Sequence, residues 1–233
     1  MSPQELTRKT SEHIREALLQ LKADSNPWED SVTIDFTSHL DAVYSPSEYK
    51  AIWSQGGSWQ PVADSFYRFI QNARLRGLFP ENYHLATLEN IRETIDSAGK
   101  KDAARFDAVQ WAKADLLLSD AFFQVVTDLK FGRLPKDSLT ARKDSTLAFD
   151  FYAQRLSAAR QNQSLALAFY GLEPRHEGYL ELLAALPNFL ENAFKRDYTI
   201  VPSPKSGKDL RKRFKPACLK QVIYPTTPQQ SIP

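Results

Sequence analysis

The stretch from Phe106 to Pro135, FDAVQWAKADLLLSDAFFQVVTDLKFGRLP, constrains the fold more than any other part of this chain. Apolar residues recur at Phe106, Val109, Ala112, Leu116, Leu117, Ala121, Phe122, Val125, Val126 and Leu129, the i, i+3, i+4 spacing of a helix. Leu118 and Phe123 widen that stripe until little polar face is left, and a helix that is apolar nearly all round has to be enclosed by other elements. Gly132 can take positive φ just past the last periodic position, and Pro135 cannot continue a helix, so the stop is sharp. The spacing therefore predicts an all-α domain, a multi-helix bundle around one central buried helix.

Around this spine the sequence predicts further helices. Residues 4–21 carry Leu6, Ile14, Ala17, Leu18 and Leu21 on one stripe, and Asn26 with Pro27 interrupts the helical pattern beyond them. The run VTIDF, Val32 to Phe36, alternates and reads as one isolated strand. LDAVYSPSEYKAIW, Leu40 to Trp53, reads as a helix, a restart at Ser45 and Pro46 with Glu48 three residues on, and a second short helix with Tyr49, Ile52 and Trp53 inward. Helices are expected from Pro61 to Arg76, closed by Gly77, and through Leu85, Leu88, Ile91 and Ile95, giving five before the spine. After it come Leu147 to Leu156, Ser164 to Tyr170, and Gly178 to Phe194, the last kinked or split by Pro187.

Composition changes near Asp197. Six of the fourteen prolines (Pro202, Pro204, Pro216, Pro225, Pro228 and Pro233) fall beyond it, and periodicity ends. Lys205, Lys208, Arg211, Lys212, Arg213, Lys215 and Lys220 against Asp209 give +6, which leaves −4 for everything else out of a formal total of +2. The sequence thus divides into a helical domain over 1–196 and, over 197–233, a disordered or irregular basic, Pro-rich tail or the truncated start of another domain. No nucleic-acid partner is indicated, because no helix-turn-helix, zinc-finger or aromatic ribonucleoprotein signature accompanies the charge. A single cysteine, Cys218, excludes an internal disulfide and a thiolate zinc cluster. The opening MSPQELTRKTSEHIREALL has no secretion signal, and no run approaches the length of a transmembrane segment, so the chain is either cytosolic or begins after a removed leader.

Four segments, in order, resemble the helical scaffold region of the large peptidoglycan L,D-transpeptidases of the bacterial cell envelope. They are AVYSPSEYKAIW (Ala42 to Trp53), GLFPENYH (Gly77 to His84), DLLLSDAFFQVVTDLKFGRLPKD (Asp115 to Asp137) and LEPRHEGYLELLAAL (Leu172 to Leu186). The resemblance implies a scaffold that packs against a separate catalytic domain, a role in cell-wall biogenesis, and a periplasmic or envelope location. It also implies, as partners, an L,D-transpeptidase catalytic domain or peptidoglycan. In that family a cysteine thiolate in a Ser-His-Gly-Cys type motif does the chemistry. This sequence has no such motif: Cys218 lies in KPACLK, and His13, His39, His84 and His176 stand far upstream. The expectation is a non-catalytic chain, with the catalytic half absent, no cofactor and no metal; the alternative is a free-standing helical adaptor that binds another protein.

Three residues are candidates for interaction. Trp59, in the loop SWQP, is placed to stack on a sugar or to join the core with Trp53 and Tyr49. Arg133 after Gly132 reads as a cation at the negative end of a helix, or as an anchor for a ligand or domain. His176, like His84, reads as a loop or helix-start histidine making one hydrogen bond, since no HExxH or similar ligand pairing exists. Asp115, Asp120 and Asp128 lie on the spine; Asp120 at its apolar centre must act as a cap or an ion-pair member, with Arg133 or Arg105 as partners.

Overall fold

The computed structural model describes residues 2–23, 25, 27–28, 32–97, 107–132, 147–193, 199–200 and 222–223. It is all-α: eight α-helices among the described residues, with two short strand pairs. The central helix, α5, runs Ala108–Phe131, with α1 (Pro3–Lys22), α2 (Thr37–Tyr44), α4 (Leu85–Ser97) and α6 (Phe149–Asn162) packed against it. The remaining helices are α3 (Pro61–Gln71), α7 (Leu165–Phe169) and α8 (Glu177–Ala193). The chain divides into two compact units, Met1–Leu183 and Ala184–Pro233.

Eighteen of the 24 residues of α5 are buried, so enclosure on all sides holds for the helix as its pattern predicts. Asp107 starts it, its carboxylate accepting from the N–H groups of Val109 and Gln110, and Gly132 ends it at φ +75°. Phe122 lies among Trp53, Phe66, Phe123 and Phe169, with ring centroids 5.3 to 6.4 Å apart in this group, the offset and edge-on spacing that aromatic rings favour. Ile14 and Leu18 of α1, Leu40 of α2, Ile70 of α3 and Leu88 of α4 complete one continuous core. Val109, expected on the apolar stripe, is exposed.

Two expectations are corrected. Val32 to Phe36 forms no strand: it is irregular chain, and the N–H groups of Asp35 and Phe36 bond to a side chain of α5 instead of to a partner strand. Past Ser45–Ser47, a 3₁₀ turn, no second helix forms, because Glu48 and Tyr49 take left-handed φ of 55° and 58° and turn the chain toward α5. Four α-helices, not five, therefore precede the spine among the described residues. Next in the chain is a tight antiparallel pair, β1 (Ser54–Gln55) with β2 (Ser58–Trp59), closed by Gly56 and Gly57 at positive φ. Pro187 does not split α8, which is continuous through it; no residue of α8 is buried, so water can reach the carbonyl that the missing N–H leaves unpaired.

In the second unit, Thr199–Ile200 pairs in parallel with Val222–Ile223. Phe106, Arg133 and Cys218 lie outside the described residues.

The core makes a direct stability prediction. Phe122→Ala removes a fully buried ring and is expected to lower the unfolding free energy by about 3–5 kcal/mol. Leu19→Ala on the exposed side of α1 is expected to change it by less than about 0.5 kcal/mol. Denaturant titration followed by far-UV circular dichroism checks both.

Candidate functional site

The polar groups that the fold gathers lie inside α5, on three acids and a serine. Asp115 and Ser119 are four residues apart, so they stand one turn above the other on one face, and both are fully buried. Asp115 Oδ1 accepts from the Ile52 N–H at 2.8 Å and the Tyr44 hydroxyl at 2.6 Å. Its Oδ2 accepts from the Trp53 N–H at 2.9 Å and the Ser54 hydroxyl at 3.4 Å. The Trp53 indole N–H can only donate, and it donates to Ser119 Oγ at 2.8 Å. Ser119 then donates to the Tyr44 oxygen at 2.7 Å and Tyr44 to Asp115, a chain of donors running in one direction toward the acid.

Opposing forces set the ionisation of this group. Burial disfavours the charge and pushes the Asp115 carboxyl from the usual 3.8 up to about 6, while the Ile52, Tyr44, Trp53 and Ser54 donors pull it down. At neutral pH the group is ionised. Burial first, then the Asp115 charge, holds the Tyr44 phenol protonated well above its usual range.

Asp120 answers a different segment. Its Oδ1 accepts from the N–H groups of Asp35 at 3.0 Å and Phe36 at 2.9 Å, at the positive end of α2. Its Oδ2 lies 2.8 Å from His84 Nε2. The backbone N–H groups fill the capping role expected for Asp120, and His84 adds a side-chain contact; Arg105 and Arg133, the partners expected for it, lie outside the described residues. Asp128 accepts from the Tyr83 hydroxyl at 2.7 Å and from Gln124 at 3.0 Å. The three acids thus bind three separate stretches of chain rather than converging, and among the described residues no group of three or more His, Cys, Asp or Glu could hold a metal ion.

The surface candidates stand apart from this column. The ring of Trp59 is half-buried, 4.5 Å from Trp111 and 4.9 Å from the Arg92 guanidinium, which also lies over Tyr67 and pairs with Asp64. Trp59 Nε1 is buried and has no hydrogen-bond partner among the described residues. His176 is exposed at the start of α8, its Nδ1 accepting from the Tyr179 N–H at 3.1 Å, a helix-capping contact. Sequence reasoning misses Tyr44, Ser119 and the 52–54 segment. Their signal lies in Asp115 and Ser119, two polar residues at i, i+4 inside an otherwise apolar helix.

The helices wrap on a buried rod, and Asp115, Asp120 and Asp128 of that rod tie other stretches of chain to it. A family model described as Scaffold domain matches residues 38–186, well over half of the chain. The chain belongs to the Scaffold domain family, consistent with the scaffold domain of the L,D-transpeptidases. No curated protein and no solved structure matches it. Among the described residues no helix is long and apolar enough to cross a membrane.

Two outcomes are expected at Asp115. Asp115→Asn turns one accepting oxygen into a donor facing N–H groups, and should cost about 1–3 kcal/mol of stability for each donor stranded. The raised pKa fixes the sign of a pH effect: the folded chain holds this proton more tightly than the unfolded chain does. Stability from this group is therefore fully present below the usual carboxylate value and is lost as pH rises through about 6, by at most about 3 kcal/mol. Urea midpoints taken from pH 4 to 7 should show this fall in the parent chain and a flatter profile in Asp115→Asn.

Proposed function

We propose that this chain is the non-catalytic scaffold of a peptidoglycan-crosslinking L,D-transpeptidase system in the periplasm or cell envelope. It holds a separate catalytic domain, or a glycan strand, in a fixed position. The observation that carries this reading is the Scaffold domain match over residues 38–186, which takes in the core residues from Leu40 to Leu172. The internal chemistry supports it: Asp115, Asp120 and Asp128 all accept hydrogen bonds from other segments of the same chain, and these fix the angles between elements.

The mechanism is positional. A domain that keeps its surface residues within fractions of an ångström lowers the entropic cost of bringing a donor stem, an acceptor stem and a nucleophile together, and such a gain needs no reactive group on the scaffold itself. The thiol chemistry of the family belongs to the Ser-His-Gly-Cys type motif, which this sequence does not contain.

The purified chain is expected to yield no cross-linked or trimmed product from muropeptides, read by liquid chromatography and mass spectrometry, with Cys218→Ala indistinguishable from the parent. An L,D-transpeptidase catalytic domain supplied in trans should co-elute with the chain in gel filtration. Turnover by the chain alone would refute the reading: loss on Cys218→Ala would make this a cysteine enzyme, and survival would place an active site elsewhere in it.

A further inference from the structure

The Scaffold domain match begins at residue 38, yet α1 lies ahead of it and gives Leu6, Ile14 and Leu18, all fully buried, to the core. Besides that apolar seam, α1 makes a polar contact at its start. The Thr7 hydroxyl donates to the Pro3 carbonyl at 3.0 Å and accepts from the Gly56 N–H at 3.2 Å, at the tip of the β1–β2 turn. Gly56 stands at φ +58°, and a Cβ built on it would lie 3.2 Å from Pro3 Cβ, tighter than side chains ordinarily pack. Glycine meets both conditions, the left-handed turn and the close approach, without strain.

This turn is the far end of the segment that answers Asp115. Ile52 and Trp53 give their N–H groups to the carboxylate at 2.8 and 2.9 Å. The Trp53 carbonyl accepts from the Gln60 N–H at 2.9 Å, and Ser54 pairs with Trp59, so a short, closed hairpin joins the two ends. One end is anchored on α5 through Asp115, the other on the first turns of α1 through Thr7.

We propose that the start of α1 is a strap that closes on Gly56 and holds the 52–59 hairpin in place for Asp115, so that the two anchors strengthen each other. Fixing one end of a stiff segment reduces the freedom that remains to be lost when the other end is fixed, and the contacts become coupled without touching. This inference goes beyond the scaffold reading and does not depend on it, since every contact lies within this chain.

The test is a double-mutant cycle on the full chain, read by urea unfolding at pH 7. Thr7→Val keeps the side-chain shape and removes the acceptor; it is expected to lower the folding constant about fivefold in the parent and less than about twofold in Asp115→Asn. In Asp120→Asn, whose acid holds a different segment on the same helix, the loss of about fivefold is expected to persist. Tyr44→Phe, which keeps the ring and removes one donor to Asp115, gives that arm a second variant, and the loss on Thr7→Val is expected to shrink there too. Equal losses in every background overturn the proposal, because the anchors are then independent. So does a loss that shrinks equally in Asp120→Asn, which would report a general loosening of the domain. Gly56→Ala is expected to cost about tenfold more than Gly77→Ala, a glycine at φ +70° with nothing within 4 Å of its Cβ position; equal costs would show that the strap does not press on the turn, and overturn it as well.

Discussion

Asp115 is fully buried within a helix of which 18 of 24 residues are buried, where an unanswered carboxylate would cost several kcal/mol. The surrounding structure is arranged to answer it. Two consecutive backbone N–H groups, those of Ile52 and Trp53, are turned toward it, and that requires the chain to reverse just beforehand through two left-handed residues, Glu48 and Tyr49. Holding non-glycine residues there costs on the order of 1 kcal/mol each. The strain persists because the acid, once buried, would lose its partners if the turn relaxed. Tyr44, Trp53 and Ser119 are drawn into the same arrangement, so α2, the 52–54 segment and α5 are fixed by one group of hydrogen bonds.

Asp120 and Asp128 repeat the device further along α5 with other partners. Asp120 takes up the entry to α2 and the His84 corner, and Asp128 takes up Tyr83 in the 3₁₀ turn before α4. Hydrophobic contact alone is non-directional and would tolerate sliding of one helix along another. The acids remove that freedom, because each accepts only from donors presented at one place. Apolar burial drives the assembly, and the carboxylates specify its geometry.

The spine is legible in the sequence because its signal is local: an apolar run of helical period and a glycine after it act within a turn or two. The same holds for α1, α3 and the glycine stop at Gly77, which takes φ +70°. The features that the sequence conceals are decided over long separations. Val32 to Phe36 alternates like a strand, but its N–H groups go to Asp120, some 85 residues away. Residues 48–53 have the composition of a short helix, but Asp115 takes the N–H groups that helix would have used. Trp59 stands in a loop whose composition leaves it free to stack on a ligand; its contacts with Trp111 and Arg92 come from helices that no local pattern joins to it. The exposed leucines of α8 are legible as apolar and give no sign of being left uncovered.

Three acids at set intervals along one rod, each matched to a different piece of chain, also bear on how such a domain can change over time. One extra residue inserted between Asp115 and Asp128 would rotate everything downstream by about 100° and shift it by about 1.5 Å, unplugging Asp128, and Asp120 as well if it fell before that residue. Lineages that vary in length should therefore do so in the connections that flank the rod and almost never within this interval, whatever becomes of the apolar residues there.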